Sequence, residues 1–322
     1  MKQAHAAALD HTQMQERKVY RKESFLRFVI KNRALYIMLV PGIVFFLVFR
    51  YIPLVGSVIA FKDYNLFAGI WHSEWVGFQW FERLFTYPQF FRLLKNTLLI
   101  SVYQIVFAFP APILLAVLMN ELRSAVFKRT IQTVLYLPHF LSWAIIYGLA
   151  YMMFSEQAGM LNQLFQAWGG ESVNILQSTD HFRSLIVGAG VWKEMGWSAI
   201  IFLAALSGIS PSLYEAAKID GANRWKQFVH ITLPGLVPAI TILLLLKIGN
   251  IMDVGFEQVY VFLTPLTLPV GDVLDTYSYR IGIISGQYSL TTAIGIFKSI
   301  IGFVLLVSAN KVSKSTTGEG LY

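Results

Sequence analysis

The sequence predicts an all-α, polytopic integral membrane protein with six transmembrane helices and a cytoplasmic helix-turn-helix loop. Three observations carry that expectation. Of 322 residues, 56% are hydrophobic and only 14% charged, whereas soluble domains carry about 25% charged residues. The apolar residues collect in six runs, each long enough for the roughly 20 residues a spanning helix needs. One polar interval, Glu215–Pro234 (EAAKIDGANRWKQFVHITLP), interrupts them with a turn-and-helix signature of its own.

Taken in order, residues 1–33 hold eight Lys/Arg and almost no apolar periodicity, which predicts a basic cytoplasmic tail. The first run, 34–61, is broken by Pro41, Arg50 and Pro53 and spans with a kink or tilt, Arg50 lying near an interface. Lys62–Asn96 is amphipathic and rich in aromatics, among them Trp71, Trp75 and Trp80, as befits a headgroup boundary on the outer side. The second run is 97–119, with Pro110 and Pro112, and the third is 131–154. Ser155–Asp180 is a polar loop without Lys or Arg, and the fourth run, 181–206, carries Arg183, Lys193 and Glu194. The 207–235 loop follows, then a fifth run, 236–262, interrupted by Lys247, Asn250, Asp253 and Glu257. A sixth run, 289–309, leads into a polar cytoplasmic tail, 310–322, so that 34–309 reads as one transmembrane domain.

With the amino terminus inside, sixteen of the 26 Lys/Arg fall in the tails and loops of one side, five on the other and five within spans. The positive-inside rule thereby places both termini and the Glu215 stretch in the cytoplasm, in a multi-pass protein of the cytoplasmic (inner) membrane. The net charge of +8 reflects this topology: the basic residues are dispersed, with none of the clustering that nucleic acid requires. No cysteine is present, which excludes disulfides and thiolate metal sites. No phosphate-cradling G-x-x-x-x-G-K-[ST], no H-E-x-x-H and no cluster with metal spacing occurs. The expectation is a chain that is not itself catalytic and binds no cofactor or metal of its own.

Within the polar interval, Ser212 and Glu215 have the S-x-x-E spacing of a capping box, so a short helix is expected to begin there. Gly221 supplies the positive φ that ends it. Trp225, Phe228 and Val229 then recur on one face of a second helix, expected to stop near Pro234. Such a hairpin projects from the membrane as an amphipathic knob. It also matches E-A-A-x3-G-x9-I-x-L-P at all seven specified positions: Glu215, Ala216, Ala217, Gly221, Ile231, Leu233 and Pro234. Here the chain resembles the permease subunits of bacterial ABC importers, in which this loop docks into the ATPase. Pro41–Asn65, Asn96–Glu121 and Phe127–Trp143 extend the resemblance to the maltose-type carbohydrate permeases. Within these the chain is most similar to the branch importing oligosaccharides and polysaccharide fragments, alginate-oligosaccharide importers among them.

That resemblance implies the partners: a second, homologous permease, two cytosolic ATPase subunits that carry the ATP and Mg, an extracytoplasmic solute-binding protein and an oligosaccharide cargo, all in membrane lipid. It gives the seven motif residues, with Asp220 beside the turn, the role of coupling to the ATPase. The physics agrees. Ala216 and Ala217 are small enough for a partner to close on the backbone, and Glu215 can pair with a basic group. The competing reading is an interfacial helix lying on the headgroups, which needs no fixed glycine and proline spacing.

Charged residues at bilayer depth are costly unless they face a cavity or a partner. Lys193 and Glu194, flanked by Trp192 and Trp197, and the Lys247–Asn250–Asp253 series on the fifth run are therefore candidate cargo contacts, with Tyr103 and Gln104 weaker ones. Aromatic faces beside amides and charges suit a sugar. In maltose-type permeases the span after the docking loop carries asparagines that contact sugar; the resemblance sets Asn250 and Asp253 on those positions, Asp253 departing from asparagine. Interhelical salt bridges among these charges are the competing reading. The alternative function is an ion-coupled secondary transporter using Lys193, Glu194 and Asp253 as a relay.

Overall fold

A computed structural model describes residues 30–321, so the expected basic tail lies outside the described residues except at its end. Contacts divide the chain into two units, residues 1–58 and 59–322. In the first, Arg33–Phe46 is a helix with Pro41 inside it, followed by a π-turn at Leu47–Tyr51 and a further helix, Ile52–Gly56. None of these three elements buries a side chain. A helix apolar on every face suits hydrocarbon.

In the second unit a two-residue ladder, with Lys62 opposite Trp75, precedes a short helix, Gln79–Thr86. Spanning helices then run over Phe90–Asn120, Phe182–Ser207, Arg224–Gly249 and Tyr288–Thr317. The third run is a bent pair, Ala125–Phe140 and Trp143–Phe154, meeting at 105°. With Arg33–Phe61, five helices among the described residues are long and apolar enough to cross a membrane, or six when the bent pair is one span.

Three departures from the sequence reading share physical causes. The second helix begins at Phe90, not residue 97, because Phe90 and Leu93 are buried against Leu290 and Ile294 of the last helix. The third run is not one straight span. Leu141 and Ser142 are extended, and the Ser142 hydroxyl caps a new helix by accepting from the Ile145 amide at 3.3 Å. The fifth run is helical only to Gly249, and Gly255, at φ 87°, opens a separate short helix, Phe256–Phe262.

Three of the prolines behave in a common way. Proline lacks an amide hydrogen and its ring clashes with the carbonyl four residues back. Ahead of Pro53, Pro110 and Pro234 the preceding residue (Ile52, Phe109, Leu233) donates its amide to the carbonyl five residues back, at Leu47, Gln104 and Phe228. Each π-turn shifts the register just where the ring needs room. The helices therefore continue through these prolines, including Pro234, which reads in sequence as a stop.

Backbones approach closely at glycines, as membrane helices require. A Cβ on Gly196 would lie 2.0 Å from the Leu135 carbonyl oxygen, which sets the first arm of the bent pair against the fourth helix. One on Gly302 would lie 2.4 Å from the Gly249 oxygen and locks the last helix onto the end of the fifth.

Candidate functional site

The polar interval folds as a hairpin between the fourth and fifth spanning helices. Its first helix is Pro211–Ile219, with Ser210 at the N-cap position. The expected capping box is absent: Pro211 occupies the first turn, where its missing amide costs nothing, and this moves the start upstream. The Ser212 hydroxyl pairs with that of Ser210 at 2.7 Å, and Glu215 sits mid-helix. At the other end Ala222 donates to the Ala217 carbonyl at 2.8 Å and Gly221 to that of Lys218 at 3.1 Å, with Gly221 at φ 74°. These two bonds make a Schellman closure, which needs the left-handed residue. Asn223 then caps Arg224–Gln227, its Oδ1 accepting from the Lys226 amide at 2.8 Å.

This second helix does not stop at Pro234. It passes through the π-turn Phe228–Thr232 into Leu233–Gly249, so hairpin and fifth span form one rod. Tyr214 and Thr232 join the two arms at 3.0 Å, and Arg224 pairs with Glu121 at 2.5 Å. The tip is bare. No residue of Pro211–Ile219 is buried, and Ile219 and Trp225 are 87% and 69% exposed. Glu215, Ala216, Asp220, Gly221, Leu233 and Pro234 are exposed, and Ala217 and Ile231 half-buried. The Glu215 carboxylate has no partner among the described residues.

The break in the fifth run builds the second feature. After Gly249 the chain turns, Asp253 donating its amide to the Asn250 carbonyl at 2.9 Å, before re-entering helix at Phe256. Carbonyls freed by such a break must be satisfied. Ser101 donates to that of Ile251 and Gln104 to that of Val254 at 3.0 Å. Around the break lies a cavity of about 480 Å³, lined by Gln104, Glu194, Lys247, Asn250, Asp253 and Gln258 among others. Lys247 donates to the Gln104 side chain at 2.9 Å, and the Asn250 amide to the Leu246 carbonyl at 2.9 Å. Gln258 reaches the Ile186 carbonyl at 2.6 Å across Gly190, whose missing side chain leaves the room. Among the described residues the Asp253 carboxylate, which Lys247 faces only electrostatically, and the oxygen edge of the Asn250 amide form no hydrogen bond, an arrangement suited to a hydroxyl-rich ligand.

Gln104, Glu194, Lys247, Asn250 and Asp253 thus converge on one cavity, while the other candidates lie elsewhere. Lys193 is 7% exposed and donates to the carbonyls of His139 (2.5 Å) and Leu141 (2.9 Å), at the bend of the third run. Its ammonium lies 3.5 Å from Glu194, its neighbour on the same helix and so not the interhelical bridge considered from the sequence, and 5.7 Å from the Trp143 ring. Trp197 stacks on His139 at 4.6 Å, and His139 Nδ1 meets Glu194 at 2.8 Å. Trp192 and Tyr103 line a different cavity. Successive helical residues point about 100° apart, so Trp192, Lys193 and Glu194 cannot share a face. Sequence reasoning missed Gln258 and the His139–Glu194 contact; an amide inside an apolar run, and a Pro-His pair at a helix break, were the available signals.

Comparison with known proteins agrees with this architecture. The family described as binding-protein-dependent transport system inner membrane component matches residues 108–317. The chain is similar to Protein LplB of Bacillus subtilis (strain 168), 46% identical over 299 residues covering 93% of this chain and 94% of the relative. It is likewise similar to the polygalacturonan/rhamnogalacturonan transport system permease protein YteP of the same organism, 46% identical over 307 residues, 94% of this chain and 96% of the relative. Among solved structures, a chain of a bacterial alginate ABC transporter in complex with alginate pentasaccharide-bound periplasmic protein superposes with a TM-score of 0.85 at 38% identity, covering 93% of this chain and all (100%) of that one.

Proposed function

The chain belongs to the binding-protein-dependent transport system inner membrane component family, and from that premise we propose that it forms half of the pore of an ATP-driven importer of oligosaccharides or polysaccharide fragments. It is a multi-pass membrane permease, a transport component and not a catalyst. The second half is a homologous permease, and a solute-binding protein delivers cargo from outside. Two ATPase subunits, which hold the ATP and Mg, grip the hairpin on the cytoplasmic side, where both termini also lie. This chain binds no nucleotide itself.

The observation that carries the reading is the single rod Arg224–Gly249. It forms the second arm of the hairpin at one end, tied to the exposed first arm through Tyr214 and Thr232, and at the other carries the break that presents Asn250 and Asp253 to the cavity. Similarity to permeases of polygalacturonan/rhamnogalacturonan and alginate transporters supports a carbohydrate cargo. The ion-coupled alternative finds no support in these relatives, and Lys193, engaged with two backbone carbonyls, is poorly placed for a relay. Co-purification tests the reading. The solubilised protein should bring down an ATPase whose hydrolysis rises with sugar-loaded binding protein; a chain that transports alone, without nucleotide, refutes it.

A further inference from the structure

A second cavity, of about 880 Å³, adjoins the one around Asn250. It is lined by Tyr103, Phe107, Asp180, Arg183, Val187 and Trp192, among others, and Val187 also lines the first cavity. The two are neighbours on both helices that build them, since Tyr103 faces one and the next residue, Gln104, the other. Its chemistry is mixed in a way that neither lipid nor a purely apolar helix contact calls for. Tyr103 and Phe107 sit one turn apart with ring centroids at 6.3 Å, and Trp192 is 43% exposed. Arg183 is oriented by donating to Asn96 Oδ1 at 2.9 Å and to the Val270 carbonyl at 3.3 Å. The Asp180 carboxylate has no partner among the described residues. Ring faces beside a fixed guanidinium and a free carboxylate are what a pyranose needs: apolar faces to stack on and hydroxyls to bond.

Resting on the function proposed above, we propose that this cavity is an outer subsite for sugar units of the cargo that follow or precede those held at Asn250 and Asp253. Arg183 and Glu194 lie on one helix, and at 1.5 Å per residue the track between them is roughly 16 Å long, enough for several pyranose rings end to end. The site therefore selects for chain length: a disaccharide engages only the inner cavity, a longer oligomer both.

The test uses the complete importer, with its own second permease, ATPase and binding protein, in proteoliposomes. ATP hydrolysis and uptake are measured with dimers through hexamers of two probe series, oligogalacturonate and malto-oligosaccharide. Trp192→Leu and Tyr103→Leu should leave dimers unaffected and weaken response to tetramers and longer by about fivefold each, the factor that roughly 1 kcal/mol of lost ring stacking gives. Trp192→Phe, which keeps a ring, should restore most of it. Asn250→Ala should weaken every length alike. Equal loss at all lengths in the Trp192 and Tyr103 variants, loss of the second permease from the purified complex, or no effect at any length overturns the subsite. If no member of either series stimulates the unaltered complex, the carbohydrate reading itself falls, and the subsite with it.

Discussion

Lys193 separates a structural role from a cargo role in one measurement. Its ammonium donates to the His139 and Leu141 carbonyls at 2.5 and 2.9 Å, where the third run turns through 105° and no helical amide is available to either. Lys193→Met keeps the length and apolar stem but strands both carbonyls and removes the cation beside Glu194. Bonds to charged donors contribute about 1.5–3 kcal/mol each in soluble proteins, whereas interhelical bonds inside bilayers average nearer 0.6. Because a bent backbone offers no substitute donor, the higher range governs, and a loss of about 3 kcal/mol is expected. At roughly 2–4 °C per kcal/mol for a domain of 150–250 residues, melting of the detergent-solubilised complex, followed by tryptophan fluorescence, should fall by about 6–12 °C. The surviving protein should keep its dependence on sugar concentration. Unchanged melting together with a weakened sugar response would refute the reasoning and return Lys193 to the cargo path.

The other predictions concern the two ends of the fifth helix. Gly221→Val meets no neighbour but must hold φ 74°, a strain of roughly 1–2 kcal/mol; the complex should assemble and hydrolyse ATP while uptake per ATP collapses, and normal coupled transport would count against the hairpin as the coupling element. Glu215→Ala, at an exposed position, should shift stability by less than about 0.5 kcal/mol, yet reduce the ATPase recovered on co-purification. Asn250→Ala with Asp253→Ala should depress uptake with the ATPase still docked; unchanged uptake removes both from the cargo site.

The six apolar runs, the Gly221 turn and the exposed Glu215 face were legible because each depends on local pattern: run length, one left-handed residue, one amphipathic hairpin. What was not legible depends on partners distant in sequence. Lys193 reads as an unpaired intramembrane charge until the chain brings His139 and Leu141 to it, more than fifty residues away. The capping box at Ser212 was a real spacing overruled by Pro211, one residue earlier. Pro234 misled in the opposite direction: read as a stop, it sits two residues beyond a π-turn that makes room for its ring.

That π-turn changes how the hairpin and the cavity relate. Had the helix ended at Pro234, a flexible joint would separate the surface proposed to receive the ATPase from the segment proposed to hold the cargo. Instead Arg224–Gly249 is continuous over 26 residues, about 39 Å at 1.5 Å per residue. A displacement imposed on Trp225 would be carried along such a rod toward Asn250, less what the wider π-turn and Pro238 absorb. The far end is where the chain is least able to follow as a rigid body. Gly249 presses on Gly302 of the last helix, while the segment beyond it is held by side-chain bonds from Ser101 and Gln104. Movement of the rod would therefore bear on the bonds that shape the cavity, and Ser101 and Gln104, of which Gln104 also holds Lys247, are the side chains that tie this end to the second helix.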